Sequence, residues 1–487
     1  MLNNPYAEVP ADMAVTEAAA RFVETVAFED IPAEAKRIGL RCVLDGLGLF
    51  VAGSDEHSVR ILAEAVRFQG GRPEALLLGC GRVKVPASLA ARVLGTSGHA
   101  HDWDDSQVSI DPDHVYGLLT HPTIAPLSAA VAVAQATGGI DGRMFLLGFL
   151  TGFEVECKIS EWMLPQHYKR GFHSTGTVGT IGAYAATAKI LGLKNDALRR
   201  GFGIAASMAA GIRVNFGTMT KPLHVGRAAE NGVIAALLAA RGFTADPNGL
   251  DGPWGFFAVQ GGGISLDKIA QGFGGTWSIV DPGVSIKPYP CGVLTHPSMD
   301  LMLKLVREND IQPEQIEGVT LHAASNILNP IRYPIAENHL QAKFSLPAEL
   351  AMIAINRKAG KHEFSDAFVQ SDAMQAMQRK IETRHDPEIE KLGFDKMRSR
   401  ILIRLNDGRI IVGSADERYR GGPEYPLTDD ELEEKVRACC EGLLDAAAQD
   451  HLIRTVWRLQ DLKNAAVLAE VIQPEAELVS NDDPENG

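Results

Sequence analysis

The sequence lacks the short motifs that mark the common nucleotide-dependent and serine-dependent enzymes. Its 487 residues contain no GxGxxG, GxxxxGK(S/T) or GxSxG pattern, which excludes a dinucleotide-binding loop, a P-loop and a nucleophile elbow. The six cysteines form no CxxC pair, and adjacent Cys439 and Cys440 make neither a favourable disulfide nor an iron–sulfur or other metal motif. This cysteine usage predicts a reducing, cytoplasmic setting.

Positive charge is also scarce. There are 47 basic against 61 acidic residues, a net charge of -14, and no Lys/Arg-rich run interrupts the chain. Because nucleic acids and anionic membranes are bound through clustered cations, neither is an expected partner. The most apolar windows, 124–136 and 144–155, are too short to cross a bilayer and are expected to be buried helices. The first 13 residues have no basic or apolar segment, so no secretory signal is predicted.

The sequence pattern indicates a helical protein into which a module of strands and helices is inserted. Periodicity, caps and Ala/Gly-rich faces predict helices at 16–28, 36–53, 88–96, 124–137, 141–162, 177–191, 195–210 and 224–241. Between about 283 and 425 the pattern changes to strands at 318–323, 400–405 and 409–412, the last two joined by an Asp407-Gly408 turn, with helices at 297–308 and 347–355. A helical pattern returns at 426–472, and the polar segment 473–487 is expected to be a disordered tail.

Residues 98–122, GHAHDWDDSQVSIDPDHVYGLLTHP, hold four histidines and five aspartates without a Lys or Arg. A solvated acidic loop and the wall of a catalytic pocket are both compatible with this composition. Residues 109–113 fit the first interpretation. If Asp102, Asp104 or Asp105 lies beside an imidazole, its carboxylate would orient the ring and tune its pKa, which fits the second.

Three short segments place a basic or imidazole side chain directly before a Gly/Ala-rich helical run. They are Thr120-His121-Pro122, Phe172-His173-Ser174 and Thr220-Lys221-Pro222. A helix N-terminus attracts anions, so His121, His173 and Lys221 beside three such ends would form a pocket for a substrate with two or more carboxylates. A neutral imidazole there can remove a proton next to a carboxylate, while Lys221 stabilises the enolate-like charge. Taken singly, each residue fits a helix cap or a core position better than a pocket, whereas the three together favour the pocket.

A metal site is a further interpretation of His99-Ala100-His101-Asp102, since imidazoles and carboxylates are common ligands. No HExxH or second ligand pair reinforces it, so no metal is predicted. A metal-dependent hydrolase built on these residues nevertheless stands as the alternative from another enzyme class. A catalytically inactive binding or scaffold protein is the third possibility, against which the intact His173 and Lys221 argue.

Several longer segments together resemble the MmgE/PrpD family, which includes 2-methylcitrate dehydratases, cis-aconitate decarboxylases and iminodisuccinate epimerases. These segments are GTSGHAHDWDDS, LLTHPTIAP, RGFHSTGTVGTIGAYAATAKILGL, NFGTMTKPLHVGRAAENGVIAALLAARGF, IKPYPCG and AKFSLPAELA. The resemblance spans about residues 15 to 470. It implies a mainly α fold: a large all-α domain made of residues 1–282 and 426–472, and a smaller α+β lid domain at 283–425. It also implies a homodimer, and chemistry without a metal or organic cofactor.

Carried over by position, the family's pocket residues fall on Asp102, Ser106, His121, His173, Lys221 and Lys287. The predicted catalytic residues are Asp102, His121, His173 and Lys221. Ser106 and Lys287 are predicted to bind substrate. Three departures are visible: Ser106 stands where threonine is common, Gly292 where the decarboxylase has a histidine, and Leu328 where it has a tyrosine, although Tyr333 is close by. The segment between Ser106 and His121 is also longer than usual.

The residues and the resemblance together predict a cofactor-independent lyase of the dehydratase type acting on a small di- or tricarboxylate. His173 or His121 would take the proton next to a carboxylate, Lys221 would hold the anionic groups, and Asp102 would orient a histidine. Epimerisation is the second hypothesis. The departures at positions 292 and 328 make decarboxylation of cis-aconitate a weaker expectation than the family alone suggests.

Overall fold

The computed structural model describes residue 9 and residues 13–108, 118–269, 272–393, 397–415 and 418–479. The predicted exposed acids at 109–113 lie outside these ranges. The fold is mainly α, with 57% of residues helical and only small sheets, as predicted. None of the helices in the described part combines the length and the apolar character that a bilayer crossing requires.

The described residues up to 269 form twelve helices, most of them long. They are α1 Val15–Thr25, α2 Ala33–Ser54, α3 His57–Gln69, α4 Ala87–His99, α5 Ile124–Ala136, α6 Gly142–Trp162, α7 Gln166–Lys169, α8 Ser174–Ile190, α9 Asn195–Met208, α10 Thr220–Ala240, α11 Phe256–Val259 and α12 Leu266–Ile269. The eight helices predicted before residue 242 are all present. α3 was missed, although Val59, Ala63 and Val66 form its buried face at helical spacing.

Among the helices predicted to start too late, two matter for the site. α8 begins at Ser174 rather than 177, with His173 as its N-cap residue. α10 begins at Thr220 rather than 224, so Lys221 and Pro222 lie in its first turn. Proline suits the first turn because its missing N–H has no helical partner there.

The rest of the chain contains shorter helices. They are α13 His296–Glu308, α14 Ser325–Leu328, α15 His339–Ala342, α16 Leu346–Asn356, α17 Asp366–Val369, α18 Asp372–Gln378, α19 Pro387–Glu390, α20 Asp429–Cys440, α21 Ala446–Trp457 and α22 Leu468–Val471. α20 begins with a capping box in which Thr428 and Glu431 each satisfy a backbone N–H of the other.

Within the described ranges, eight strands form three small sheets. They are β1 Ala75–Leu76, β2 Lys84–Val85, β3 Gln107–Val108, β4 Leu118–Thr120, β5 Ile316–Ala323, β6 Ile381–His385, β7 Ser399–Leu405 and β8 Ile410–Ala415. The largest sheet has the order β6-β5-β7-β8, with β5 and β6 parallel and the other pairs antiparallel. The predicted hairpin is β7–β8, and Gly408 supplies the positive φ of 89° that its turn needs. β6 was missed because only Ile381 of its five residues is buried.

In the described part of the chain, buried apolar side chains form two separate cores. One draws on residues 9–286 and 427–479, and we call that part the helical unit. The other draws on residues 289–419, which we call the inserted unit. Residues 473–479, grouped with the tail in the sequence prediction, lie against the helical unit: Leu478 donates its N–H to Gly79, and Val479 is buried. Residues 480–487 are outside the described ranges.

Small residues let three helices of the helical unit approach closely. A Cβ on Gly95 of α4 would lie 2.9 Å from the Cα of Gly226 on α10. Likewise, a Cβ on Gly232 of α10 would lie 2.5 Å from the backbone N of Tyr184 on α8. Side chains at these glycines would push the helices apart, so the glycines fix where the ends of α4, α8 and α10 meet.

Candidate active site

The candidate site forms where the three closely packed helices end or begin. α4 ends at His99, and Asp102 follows in a left-handed turn with a φ of 52°. α8 presents His173 at its N-cap, and α10 presents Lys221 in its first turn. Because their helices are packed together, side chains that are far apart in sequence converge there.

Two short pairings bring in the remaining predicted residues. β3 and β4 pair Gln107 with Thr120, which places Ser106 beside His121. Ser106 and Ser285 exchange two backbone hydrogen bonds of 2.9 and 2.8 Å. Lys287, two residues further on, is thereby held next to Asp102.

Lysine and acidic side chains form a continuous buried network. Asp102 Oδ1 lies 3.0 Å from Nζ of Lys221 and 3.0 Å from Nζ of Lys287. Lys221 also donates to Nε2 of His99 over 2.9 Å, and Nδ1 of His99 lies 2.8 Å from Asp104. An ammonium only donates, so Nε2 of His99 accepts and its Nδ1 donates to the Asp104 carboxylate. The network therefore fixes the tautomer of His99 and the position of the Lys221 ammonium.

The pKa shifts agree with this distribution of charge. Burial alone would raise the pKa of Asp102, but Lys221 and Lys287 outweigh it and hold that pKa well below its usual value. Burial lowers the pKa of His99, so this ring is neutral at pH 7. Burial also lowers the pKa of Lys221, opposed by the charge of Asp102. Lys221 is thus an ammonium that releases its proton more readily than an exposed lysine.

His121 is a neutral imidazole with one nitrogen held by the backbone. Its Nδ1 lies 2.7 Å from the carbonyl oxygen of Asp105 and 3.1 Å from Oγ of Ser106. A carbonyl oxygen only accepts, so Nδ1 carries the proton and Nε2 keeps its lone pair. Burial lowers the pKa of His121 to about 3, which keeps the ring neutral at pH 7.

His173 is the second imidazole at the cavity. Its Nδ1 lies 3.0 Å from Nδ1 of His224, on the next turn of α10 after Lys221. Its Nε2 is buried and has no hydrogen-bond partner within the described residues. Burial, together with the charge of Lys221, holds the pKa of His173 well below its usual value. An unpartnered buried ring nitrogen is costly, so its retention here points to a ligand.

A cleft with about 520 Å³ of empty space, part of which is open solvent, lies between the helical unit and the inserted unit. Its lining consists of Asp102, His121, Tyr168, His173, Ser174, Thr175, Phe216, Lys221, Gly292, Val293, Leu294, Pro330, Ile331 and Phe344. The helical unit contributes every ionisable group, and the inserted unit contributes a glycine and apolar side chains. The site therefore needs both units.

The structure brings all six residues predicted from the sequence together, although their roles stay predictions. Asp102, His121, His173 and Lys221 line the cavity. Ser106 and Lys287 are fully buried and reach it only through His121 and Asp102. The predicted catalytic and substrate-binding set left out two members of the network: His99, considered only as a possible metal ligand, and His224. The three-residue spacing of Lys221 and His224 in KPLH, one helical turn, was the available signal for the latter.

The donor set also permits a cation site, which bears on the alternative hydrolase. Ligand atoms of His99, Asp102, Asp104 and His121 lie within 4.8 Å of one another. His101, part of the predicted metal set, points elsewhere, with its Nε2 3.0 Å from the carbonyl oxygen of Ala52. The ammonium groups of Lys221 and Lys287 already neutralise Asp102, and Lys221 uses the lone pair of His99. A metal ion would have to displace these lysines, so the residues fit it poorly.

Gly292 and Leu328, two of the departures from the family pattern, and Tyr333, which is close to the second in sequence, lie in three different places. Gly292 lines the cavity. Leu328 packs against the core of the inserted unit. The hydroxyl of Tyr333 donates to the carbonyl oxygen of Phe216 over 3.3 Å, which ties the inserted unit to the cavity rim.

Comparisons with known proteins agree with this architecture. The cis-aconitate decarboxylase of Homo sapiens is 27% identical over 444 residues, covering 89% of each chain. The protein of the same name from Mus musculus is 26% identical over 470 residues, covering 94% of this chain and 93% of its own. That from Aspergillus terreus is 24% identical over 492 residues, covering 96% and 97%. The MmgE/PrpD N-terminal domain matches residues 17–267 and the MmgE/PrpD C-terminal domain matches residues 289–461. Because these matches span both units, the chain belongs to the MmgE/PrpD family.

Proposed function

We propose that this protein is a lyase that removes the proton next to a carboxylate of a small carboxylic acid and then expels a leaving group. The observation that carries the proposal is the unpartnered Nε2 of His173, in the same cavity as the Lys221 ammonium. A base and a cation facing one small space are what enolate formation requires. The similar proteins from Homo sapiens and Mus musculus are named as decarboxylases, which are lyases, and this supports the same reaction class.

In the first step, Nε2 of His173 accepts the α-proton. Its electron pair is free in the neutral tautomer in which Nδ1 of His173 donates its proton to Nδ1 of His224. An anionic substrate would raise the basicity of this buried imidazole. The C–H electron pair moves into an enolate, whose negative charge faces Lys221 and the N-terminus of α8. Asp102 and His99 hold the ammonium in place for that task.

The second step is loss of water. The enolate electron pair forms the carbon–carbon double bond as the C–O bond to the β-hydroxyl group breaks. The departing hydroxide takes a proton from Lys221, whose pKa is already lowered by burial. The proton held by His173 then returns to the lysine, so the enzyme regains its starting state and one water is released.

Two related outcomes have a specific observation in their favour. The curated relatives are cis-aconitate decarboxylases, in which a C–C bond breaks and CO₂ leaves. The same cation would stabilise the carbanion that this leaves behind. Epimerisation is favoured by the presence of two neutral imidazoles, His121 and His173, at one cavity, because one can remove a proton and the other can return it to the opposite face.

Proton exchange in deuterated water tests the shared first step. The purified protein is incubated with citrate, cis-aconitate and other small carboxylic acids, and deuterium at the α-carbon is followed by NMR. Parallel measurements of released CO₂ and of new alkene absorbance then separate decarboxylation from dehydration. We expect exchange with at least one acid and its loss in His173→Asn. His167→Asn is the matched control, since His167 is equally buried but partnered by Gln260 and Thr177 and does not line the cavity.

Absence of exchange with every acid, in protein that is folded, contradicts the proposed function. A homodimer and a cytoplasmic location remain predictions of the sequence. Sedimentation equilibrium at micromolar concentration and cell fractionation measure them directly.

A further inference from the structure

We propose that Lys343 of the inserted unit is a positioning residue, whose ammonium holds the turn that carries Asp102. The buried network of lysines and acids would then be in place only while the two units are docked. The inference rests on the proposed function and deepens it, because it gives the inserted unit a part in the reaction. Lys343 does not line the cavity, so it acts through Asp102 and not on the substrate.

The turn after α4 is a part of the site that needs support from outside. α4 ends at His99, and the carbonyl groups of the last helical turn have no partner within the helix. Asp102 has a φ of 52°, a conformation that residues with a side chain adopt infrequently and that the surroundings must maintain. A shift of this backbone would move the carboxylate that pairs with Lys221 and Lys287.

Lys343 supplies such a support. Its Nζ donates to the carbonyl oxygen of Ala100 over 2.9 Å. Ala100 is the C-cap residue of α4, where the helix dipole favours a cation. Lys343 is 2% exposed, and this carbonyl is its one hydrogen-bond acceptor among the described residues. Because a buried ammonium without compensation is very unfavourable, the contact constrains the lysine and the turn together.

The charges around Lys343 connect it to the same carboxylate. Burial lowers the pKa of Lys343, and the negative charges of Glu56 and Asp102 oppose that shift. The positive charge of Lys221 acts in the same direction as burial. Asp102 therefore stabilises the Lys343 ammonium as well as that of Lys221.

A second contact ties the segment before Lys343 to the same turn. α15 ends at Ala342, directly before Lys343. Nε2 of His339, in α15, lies 3.4 Å from the carboxylate of Glu56. The other oxygen of that carboxylate lies 3.5 Å from Nδ1 of His101, which is in the turn. The inserted unit thus reaches the turn at two consecutive residues, once directly and once through a carboxylate of the helical unit.

The residue after Lys343 joins this support to the cavity itself. Phe344 lines the cavity and stacks on Phe216 of the helical unit, with ring centroids 5.6 Å apart. The backbone carbonyl of Lys343 accepts the N–H of Gly292, another lining residue, over 3.3 Å. Docking of the inserted unit therefore closes one side of the cavity and seats the Lys343 ammonium on the Asp102 turn in the same movement.

Lys343→Met tests the inference, since methionine keeps the apolar stem and deletes the ammonium. The rate of α-proton exchange is measured by NMR against the concentration of an acid that the wild type accepts. We expect the maximal rate to fall about 10–100-fold, because a small displacement of Asp102 disturbs Lys221. The half-saturating concentration is expected to stay within about threefold of the wild type, because Lys343 does not touch the substrate.

Backbone amide exchange reports on the turn without any substrate. In Lys343→Met the peptide covering residues 98–105 is expected to exchange its amide hydrogens about tenfold faster by mass spectrometry. Lys343→Arg keeps a charged donor, and we expect it to recover the maximal rate to within about threefold. If the methionine variant does not fold, His339→Gln, which loosens the same segment without deleting a buried ammonium, is expected to change the maximal rate and amide exchange in the same directions.

Lys380→Met is the matched control. Lys380 is also a lysine of the inserted unit that donates to one backbone carbonyl, that of Ile316 over 2.7 Å, and it does not line the cavity. We expect this variant to keep the maximal rate and the amide exchange of residues 98–105. Urea denaturation of every variant confirms that folded proteins are compared.

The outcomes separate this inference from the proposed function. A folded Lys343→Met protein with a maximal rate and turn exchange like those of the Lys380→Met control overturns the role of Lys343. A loss that appears in the half-saturating concentration and not in the maximal rate also overturns it, because Lys343 would then act on substrate binding. In both cases the wild type still exchanges α-protons, so the proposed lyase stands. If the wild type exchanges no acid, the proposed function fails, and amide exchange alone still decides whether Lys343 holds the turn.

Discussion

Replacing Lys221 by methionine tests the reasoning most directly. The change keeps the length and apolar stem of the side chain but deletes the ammonium that donates to His99 and pairs with Asp102. Removing one member of a buried ion pair costs about 3–5 kcal/mol of folding stability. Because Lys287 still lies 3.0 Å from Asp102, we expect the lower end, about 3 kcal/mol. Loss of a donor at the developing negative charge slows reactions by about 10²–10³.

The assay combines urea denaturation with α-proton exchange on the same preparation. Lys435→Met is the control, since Lys435 is 6% exposed against 4% for Lys221 and pairs with Asp45 over 2.6 Å, yet does not line the cavity. We expect the two variants to lose comparable stability, while only Lys221→Met loses exchange by a factor of about 10²–10³. Folded Lys221→Met that exchanges within about threefold of the wild-type rate would refute a role for this ammonium in the reaction.

Three further expectations follow from the same site. His173→Asn deletes the free Nε2 while His224 stays in place, and we expect it to slow α-proton exchange by about 10²–10⁴. Unchanged exchange in this variant would indicate that His121, not His173, is the base. Burial raises the pKa of Asp105 from 3.8 to about 7. The native state therefore keeps a proton that the unfolded chain loses between about pH 4 and 7. Because of this difference, the contribution of Asp105 to folding stability falls as the pH rises through that window. In urea denaturation Asp105→Asn should therefore gain up to about 4 kcal/mol over the wild type between pH 4 and pH 8, and parallel curves would contradict the shift. Dialysis against a chelator is expected to leave exchange unchanged, with elemental analysis finding less than about 0.1 metal ion per chain; a loss restored by zinc would instead favour the hydrolase.

Much of the fold follows from local sequence. The Asp407-Gly408 turn is set by the positive φ that its glycine adopts, and α5 and α6 follow from runs too apolar to be anything but buried helices. α8 and α10 were predicted correctly in place but late in their starts, because Ser174 and Thr220 contribute no apolar periodicity to the pattern. β6 was not predicted because an edge strand with one buried residue shows no alternation of apolar and polar residues.

The sequence by itself determined the candidate residues: histidines and aspartates of residues 98–122 and the three segments around His121, His173 and Lys221. Such residues are recognisable because helix ends and local composition are encoded within a few neighbours. Tertiary structure alone decided which of them touch. The contact between Lys221 and His99 joins residues 122 apart, and it depends on Gly95 and Gly226 letting two helices approach closely enough for their ends to meet. The apolar lining from the inserted unit likewise depends on how the two units face each other across the cavity, because long-range packing, unlike a helix cap, leaves no periodic signal in the chain.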